Sequence, residues 1–291
     1  MKGIILAGGI GSRLWPSTKS VSKQLIPIYD KPMAYYPLST MMLAGIREIL
    51  IISDPESIDG YRRLFGNGRK IGLKVDYEIQ NKPAGIPEAF TLGEAHIGGQ
   101  SCCLVLGDNL FHGRGMSEIL QKATNQVERN GGAHLFTASV VDPERFGVAE
   151  VDHDGKIIGI QEKPSVPKSK LAVTGLYMYG PDVVGKTREL MPGSRGELEI
   201  TDLNMKYIKE GMCGTSHLGR GTTWLDTGTP DSLQSAANYV SSVQMNTGKM
   251  IACIEEVAWR MGFIDDEMLI RSVEGYPPSN EYYRYVNSLL G

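Results

Sequence analysis

The residue types best suited to chemistry are concentrated near the amino terminus. Leu6-Ala7-Gly8-Gly9-Ile10-Gly11-Ser12-Arg13-Leu14-Trp15-Pro16 sets three glycines and an arginine directly after an apolar run. Glycines let a backbone come close to phosphate oxygens and aim its N–H groups at them. Arg13 adds a fixed positive charge with several donors at the same place. Lys23, in Ser22-Lys23-Gln24-Leu25-Ile26-Pro27, follows closely enough to return to one crevice. A lone Gly-Gly would read as a tight strand-to-helix turn; the third glycine and Arg13 favour phosphate binding. Two better-known phosphate loops fail. The dinucleotide fingerprint needs a glycine where Leu14 stands, and no P-loop pattern occurs. Gly66-Asn67-Gly68-Arg69-Lys70-Ile71-Gly72 misses the G-x-G-x-x-G spacing by one residue and reads as a turn.

Two acids stand where a metal would be useful. Asp108 follows the apolar run Cys102–Leu106, and Asp226 lies in Thr223-Trp224-Leu225-Asp226-Thr227-Gly228-Thr229. Carboxylates from separate elements, with phosphate oxygens, suit Mg²⁺. Taken singly, Asp108 reads equally well as a turn residue and Asp226 as the cap of a helix beginning near Pro230. Spacing alone leaves both readings open.

These residues need a frame. Lys2–Leu6, Glu48–Ile52, Lys74–Ile79, Ser101–Leu106 and His134–Val140 read as strands. Helical patterns over Tyr35–Ala44, Ile58–Phe65, Ile86–His96 and Met116–Val127 lie between them. Apolar strands alternating with helices predict an α/β fold with a mostly parallel central sheet flanked by helices. Ligands of such sheets bind beyond the carboxyl ends of the strands, which is where the glycine loop and Asp108 fall. Val148–Glu162 reads as a hairpin turning at Asp152-His153-Asp154-Gly155, Val173–Tyr179 as a strand and Glu197–Lys209 as a helix. From Ser232 onward the pattern is helical, broken at Gly248, Gly262 and Gly275. We read a single domain over 1–291, with a catalytic α/β core over 1–231 and a helical C-terminal part over 232–291.

The chain has 291 residues, 41% hydrophobic and 22% charged, which excludes a disordered chain. A net charge of −3 gives no general attraction to nucleic acid or an anionic membrane. No apolar stretch approaches the ~20 residues of a membrane span. Cys102, Cys103, Cys213 and Cys253 lack C-x-x-C spacing and sit in apolar runs, as buried reduced thiols do. A soluble cytoplasmic protein is the expectation.

The ordered motifs carry more than any one of them. The Leu6–Pro16 loop, Lys23-Gln24-Leu25, Tyr29-Asp30-Lys31-Pro32-Met33 and Leu106-Gly107-Asp108-Asn109 are followed by Asp142-Pro143-Glu144-Arg145-Phe146-Gly147-Val148. Glu162-Lys163-Pro164, Val173-Thr174-Gly175-Leu176-Tyr177, Arg195-Gly196-Glu197-Leu198-Glu199-Ile200-Thr201-Asp202 and Trp224–Thr229 complete the series. In this order they resemble the sugar-1-phosphate nucleotidylyltransferases, and closely the glucose-1-phosphate thymidylyltransferases, over essentially the whole chain. The resemblance implies a Rossmann-like nucleotidyltransferase fold and a transfer from dTTP to glucose-1-phosphate, giving dTDP-glucose and pyrophosphate for deoxysugar pathways such as rhamnose.

The resemblance also assigns roles. Arg13 and Lys23 hold the triphosphate, and Asp108 and Asp226 carry Mg²⁺. Gly8, Gly9, Gly11 and Ser12 place the loop against the nucleotide, and Gln24, Gln80 and Gly85 form the base site. Asn109, Gly147, Glu162 and Val173 contact the sugar, and Lys163 and Arg195 hold its phosphate. Glu256 and Arg260 fall in a segment that helps build a second, regulatory nucleotide-sugar site near a subunit interface, in a homotetramer. Without the resemblance, Lys163, Arg195 and the Glu256/Arg260 pair read as solvated surface charges. Pro87 and Glu88 depart from the common pattern beside the base pocket, so the base and sugar are the least determined part. Competing readings are a uridylyltransferase, a thymidylyltransferase for another hexose-1-phosphate, and a non-catalytic sugar-nucleotide-binding regulatory protein. The last of these should have lost Arg13, Lys23, Asp108 or Asp226, and all four are present.

Overall fold

The structure, a computed structural model, describes residues 1–9, 11–193 and 196–291. β1 (Lys2–Leu6) runs into the glycine loop, and a 3₁₀ turn over Lys23–Leu25 leads to a small hairpin, β2 (Pro27–Ile28) and β3 (Lys31–Pro32). Then come α1 (Tyr35–Leu43), β4 (Glu48–Ser53), α2 (Ile58–Phe65), β5 (Lys74–Ile79), α3 (Glu88–Leu92), α4 (Glu94–Ile97) and β6 (Cys102–Leu106). The middle of the chain holds β7 (Asn109–Gly113), α5 (Met116–Asn130), β8 (Ala133–Ser139), β9 (Gly147–Val151), β10 (Ile157–Glu162) and β11 (Leu171–Tyr179). After α6 (Val183–Arg188), α7 (Ile200–Lys209), β12 (Cys213–Leu218) and β13 (Thr222–Asp226), the chain ends in α8 (Pro230–Thr247), α9 (Ile254–Arg260), α10 (Asp266–Ser272) and α11 (Glu281–Asn287).

Strands β5, β4, β1 and β6 lie side by side and parallel, as their apolar composition predicts for a sheet covered on both faces. Beyond β6 the sheet turns antiparallel and forks. One edge of β11 bonds β6 through residues 176–179 and β9 through Ala172, while the other edge bonds β8. The pairing with β8 shifts register between Val173 and Tyr177. The fork opens a crevice at the carboxyl ends of β1 and β6.

Apolar side chains fill both faces. Ile5, Val105, Leu38 and Leu120 join Ile254, Ala258 and Leu269 of the C-terminal helices in one cluster, and Leu104, Phe90, Tyr179 and Leu203 lie in another. The C-terminal helices are also tied down by a polar contact. Lys31 is buried, its ammonium 2.5 Å from Asp30 and 3.2 Å from the Gln244 side-chain oxygen. It also stands over the rings of Tyr36 and Tyr282. Burial lowers its pKa, against the pull of Asp30.

Two helices differ from expectation. The pattern over Ile86–His96 is two short helices meeting at Gly93, where an added Cβ would meet the Ala89 carbonyl and the Ile4 and Leu50 side chains. The helix expected from Glu197 starts at Ile200, because Leu198 is held in a parallel bridge to Gly85. The four cysteines are free and buried.

His134, on β8, is 3% exposed. Its Nε2 meets the Ser216 hydroxyl at 2.9 Å, and its Nδ1 has no partner among the described residues. Burial pulls its pKa down to about 4. The unfolded chain therefore binds the proton more tightly, so this group's contribution is present above pH 6.5 and is lost as pH falls toward 4. Stability at pH 4 should be about 3 kcal/mol lower than at pH 7 from this residue. Urea melts of wild type and His134→Gln at both pH values check this, and an unchanged pH slope in the variant would refute it.

Candidate active site

The sheet register builds the site. Leu6 pairs with Leu106, so the glycine loop and Gly107-Asp108 leave neighbouring strands at the same level. Gly107 is required there, because a Cβ would meet the Gln24 side chain at 2.9 Å and the Leu6 carbonyl at 3.0 Å. In the loop, Gly11 is left-handed with φ 60°, and its carbonyl accepts from the Thr18 hydroxyl at 2.8 Å. Ser12 then opens a single 3₁₀ turn that carries Arg13.

β13 brings the second acid. It pairs antiparallel with β7, setting Asp226 opposite Asn109, and Thr227 donates to the Asp108 carbonyl through its amide (3.1 Å) and its hydroxyl (2.8 Å). The turn reading of Asp108 and its placement in the crevice are thus both correct. Asp226 is not a helix cap: Thr229 caps α8, in a reciprocal pair with Ser232. Lys23 reaches Asp108 at 2.5 Å, and the Arg13 guanidinium packs where a Cβ on Gly228 would lie, next to Asp226. Burial, and then the charge of Asp108, push the pKa of Asp226 up, while Lys23, Arg13 and Arg145 pull it down. Two carboxylates that repel one another, flanked by bases, suit a divalent cation.

Asn109 is the hinge pin of the fork. Its Oδ1 accepts from the Gly175 amide at 3.1 Å and from the Trp224 indole at 2.6 Å, and its Nδ2 donates to Asp108 at 2.9 Å. A cavity of about 700 Å³ opens beside it, bordered by Arg13, Asp108, Asp226, Arg145, Glu162 and Trp224. Gly147 and Val173 line the same space. Glu162 accepts from the Thr201 hydroxyl at 2.7 Å. Lys163, half-exposed, holds a left-handed φ of 42°, a strain that side chains with a Cβ rarely adopt away from functional sites. A second space of about 230 Å³ adjoins it, with Gly8, Gly9, Gln80, Gly85, Glu162 and Lys163 among its walls.

The structure thus gathers Gly8, Gly9, Arg13, Lys23, Gln24, Gln80, Gly85, Asp108, Asn109, Gly147, Glu162, Lys163, Val173 and Asp226 around one crevice. Arg195 lies outside the described residues. Glu256 and Arg260 border neither cavity; they form a 2.7 Å pair on α9, and Tyr285 donates to Glu256 at 2.6 Å. Among the side chains in the crevice that had drawn no role from sequence, three stand in the ordered motifs near the acids and Glu162: Arg145, 3.8 Å from Asp226, and Trp224 and Thr201. All three lie inside the ordered motifs, which was the available signal. Among the described residues, the tight acidic and histidine group that could hold a metal is Asp152, His153 and Asp154, in the exposed hairpin turn rather than the crevice.

The nucleotidyl transferase family model matches residues 2–242. The chain belongs to the nucleotidyl transferase family. Within this family it is 49% identical to the glucose-1-phosphate thymidylyltransferase of Neisseria meningitidis over 290 residues, covering 100% of this chain and 99% of that one. A crystal structure of a Bacillus anthracis protein assigned as a glucose-1-phosphate thymidylyltransferase, in complex with a sucrose, matches with TM-score 0.75 and 41% identity, covering 82% of this chain and 94% of that chain. An apo UDP-glucose pyrophosphorylase shares the fold at TM-score 0.74 and 23% identity, covering 84% of this chain and 99% of that chain. The alignment with the Neisseria meningitidis relative runs past the end of the family model, through the sequence of the C-terminal helices. No helix among the described residues is long and apolar enough to cross a membrane.

Proposed function

We propose that this nucleotidyl transferase moves a thymidylyl group from dTTP to glucose-1-phosphate, releasing pyrophosphate. The observation that carries the reading is the convergence of Arg13, Lys23, Asp108 and Asp226 at the glycine loop. The sugar phosphate is already an oxyanion near neutral pH, so its attack on the α-phosphorus needs no general base. One P–O bond forms from the sugar phosphate, and the bond to the β-phosphate oxygen breaks. The protein's task is to hold two mutually repelling anions in line.

In this reading the triphosphate lies along Gly8, Gly9, Gly11 and Ser12, with the base toward Gln24, Gln80 and Gly85. Lys23 balances charge at the α-phosphate, and Arg13 steadies the departing pyrophosphate. Glu162, Asn109, Gly147 and Val173 receive the sugar, and Lys163 and Arg195 its phosphate. Asp108 and Asp226 would hold a divalent cation, Mg²⁺ in this proposal, which supplies charge neutralisation between phosphate oxygens when bound. We further propose that 1–231 performs the chemistry, that 232–291 with Glu256 and Arg260 serves regulation in a homotetramer, and that the product feeds dTDP-rhamnose-type synthesis in the cytoplasm.

Pyrophosphate release with Mg²⁺ and glucose-1-phosphate, run with dTTP and UTP side by side, tests this. Faster release with dTTP is expected, with UTP a weaker substrate, because one methyl in an apolar contact is worth only ~1 kcal/mol. Equal or better use of UTP would overturn the thymidylyl assignment, and silence with both would overturn glucose-1-phosphate as the acceptor and turn the test to other sugar phosphates, then to the sugar-nucleotide-binding reading.

A further inference from the structure

Gln80 and Gln24 approach Gly8 with their amides held in opposite senses, and Gln80 borders the space beside the glycine loop. The Gln80 side-chain amide donates through Nε2 to the Glu88 carboxylate at 2.6 Å. A carboxylate only accepts, so the NH₂ of Gln80 must face it, and the carbonyl must face the other way. That Oε1 points at Gly8, where it would lie 2.7 Å from an added Cβ, and no donor among the described residues reaches it. Gln24 is held in the reverse sense. Its Oε1 accepts from the Ser22 hydroxyl at 2.8 Å and the Tyr61 hydroxyl at 3.3 Å, which leaves Nε2 directed toward the Gly8 carbonyl at 3.5 Å. Of the two buried amides, that of Gln80 thus offers a free acceptor to the cavity beside Gly8, while that of Gln24 turns its donor to the Gly8 carbonyl.

We propose that Glu88 is a specificity-determining residue that fixes Gln80 as an acceptor, so that the site selects bases with an imide N–H. This rests on the reading that the nucleotide base lies beside Gly8. Thymine and uracil carry an N3–H donor between two carbonyl oxygens, and that donor complements the Gln80 acceptor. Cytosine carries a bare N3 lone pair at that position, which would face the Gln80 carbonyl with no proton between them. A site built around a buried hydrogen bond rejects a base that cannot make it far more strongly than an apolar pocket rejects a methyl group. A glutamine at 88 would not fix the orientation, because its own amide can either accept or donate.

The test compares kcat/KM for dTTP, UTP and dCTP in wild type, Glu88→Gln and Glu88→Asp, with glucose-1-phosphate and Mg²⁺. Wild type should prefer dTTP over dCTP by at least about 100-fold. In Glu88→Gln that ratio should fall about tenfold while the dTTP-to-UTP ratio stays unchanged, since the methyl group is read elsewhere. Glu88→Asp, keeping an acceptor-only group, should retain most of the discrimination. A structural role alone would lower all three nucleotides together, and that pattern, or a wild type that uses dCTP as readily as dTTP, would overturn the proposal. If Glu88→Gln does not fold, the wild-type and Glu88→Asp ratios still decide it. Wild-type inactivity with every nucleotide would instead refute the underlying reading of glucose-1-phosphate as the acceptor.

Discussion

Asp226→Asn is expected to lower turnover about 10³-fold while raising the melting temperature. The loss, about 4 kcal/mol of transition-state stabilisation, follows from removing one of two carboxylates that would carry the metal. The gain follows from linkage. Burial and the neighbouring Asp108 raise the folded-state pKa of Asp226, so the native protein favours its uncharged form. A raised pKa contributes stability below the ordinary carboxylate range and loses it as pH rises through the folded value. An isosteric neutral amide supplies that favoured uncharged form at any pH. Asp108→Asn should cost similar turnover but without the gain, because it leaves the buried Lys23 ammonium without its 2.5 Å partner. Steady-state kinetics and melting curves of the two variants separate these cases. Near-normal turnover in either would remove that acid from the mechanism, and a lower melting point for Asp226→Asn would contradict the electrostatic account.

Gly85→Ala should be the most disruptive small substitution near the base site. Gly85 holds φ +102°, and an added Cβ would lie 2.0 Å from the Leu198 carbonyl oxygen and 2.7 Å from its amide nitrogen. Neither backbone atom can yield without breaking the parallel bridge between Gly85 and Leu198 and the 2.8 Å bond from Leu198 to the Ala84 carbonyl. Strain of this kind costs about 2–4 kcal/mol, which should lower the melting temperature by about 5 °C or more. Since Gly85 and Leu198 both wall the smaller cavity, the KM for dTTP should rise more than tenfold, and more than the KM for glucose-1-phosphate. Wild-type melting and kinetics in this variant would show that the bridge does not shape the site.

The parallel half of the fold was legible because its strands are unbroken apolar runs and its helices have clear amphipathic spacing. β1, β5 and α2 match their sequence-derived bounds, and β4 and β6 differ by one residue at an end. The ribbon of β7 and β13 was not legible. Asn109-Leu110-Phe111-His112-Gly113 is short, and its partner lies more than a hundred residues away, so only the fold could pair them. Motifs pointed to the Arg13, Lys23, Asp108 and Asp226 set, but their convergence depends on that ribbon. Arg145 lay in a motif and Glu88 stood out beside the base pocket, but what either does was not legible, for a related reason. Each matters through one contact, to Asp226 and to Gln80, and neither contact has a sequence period.

Because Asp226 faces Asn109 across that ribbon, and Thr227 donates twice to the Asp108 carbonyl, the spacing of the acid pair is set by backbone hydrogen bonds. It does not wait on closure of the crevice. The molecule carries a preorganised calliper, whose jaws are set by the ribbon and not by the glycine loop on one side or the Glu162–Lys163 segment on the other. Reorganisation during a catalytic cycle then falls on the substrate-holding walls, and the two charges most costly to rearrange stay where folding put them.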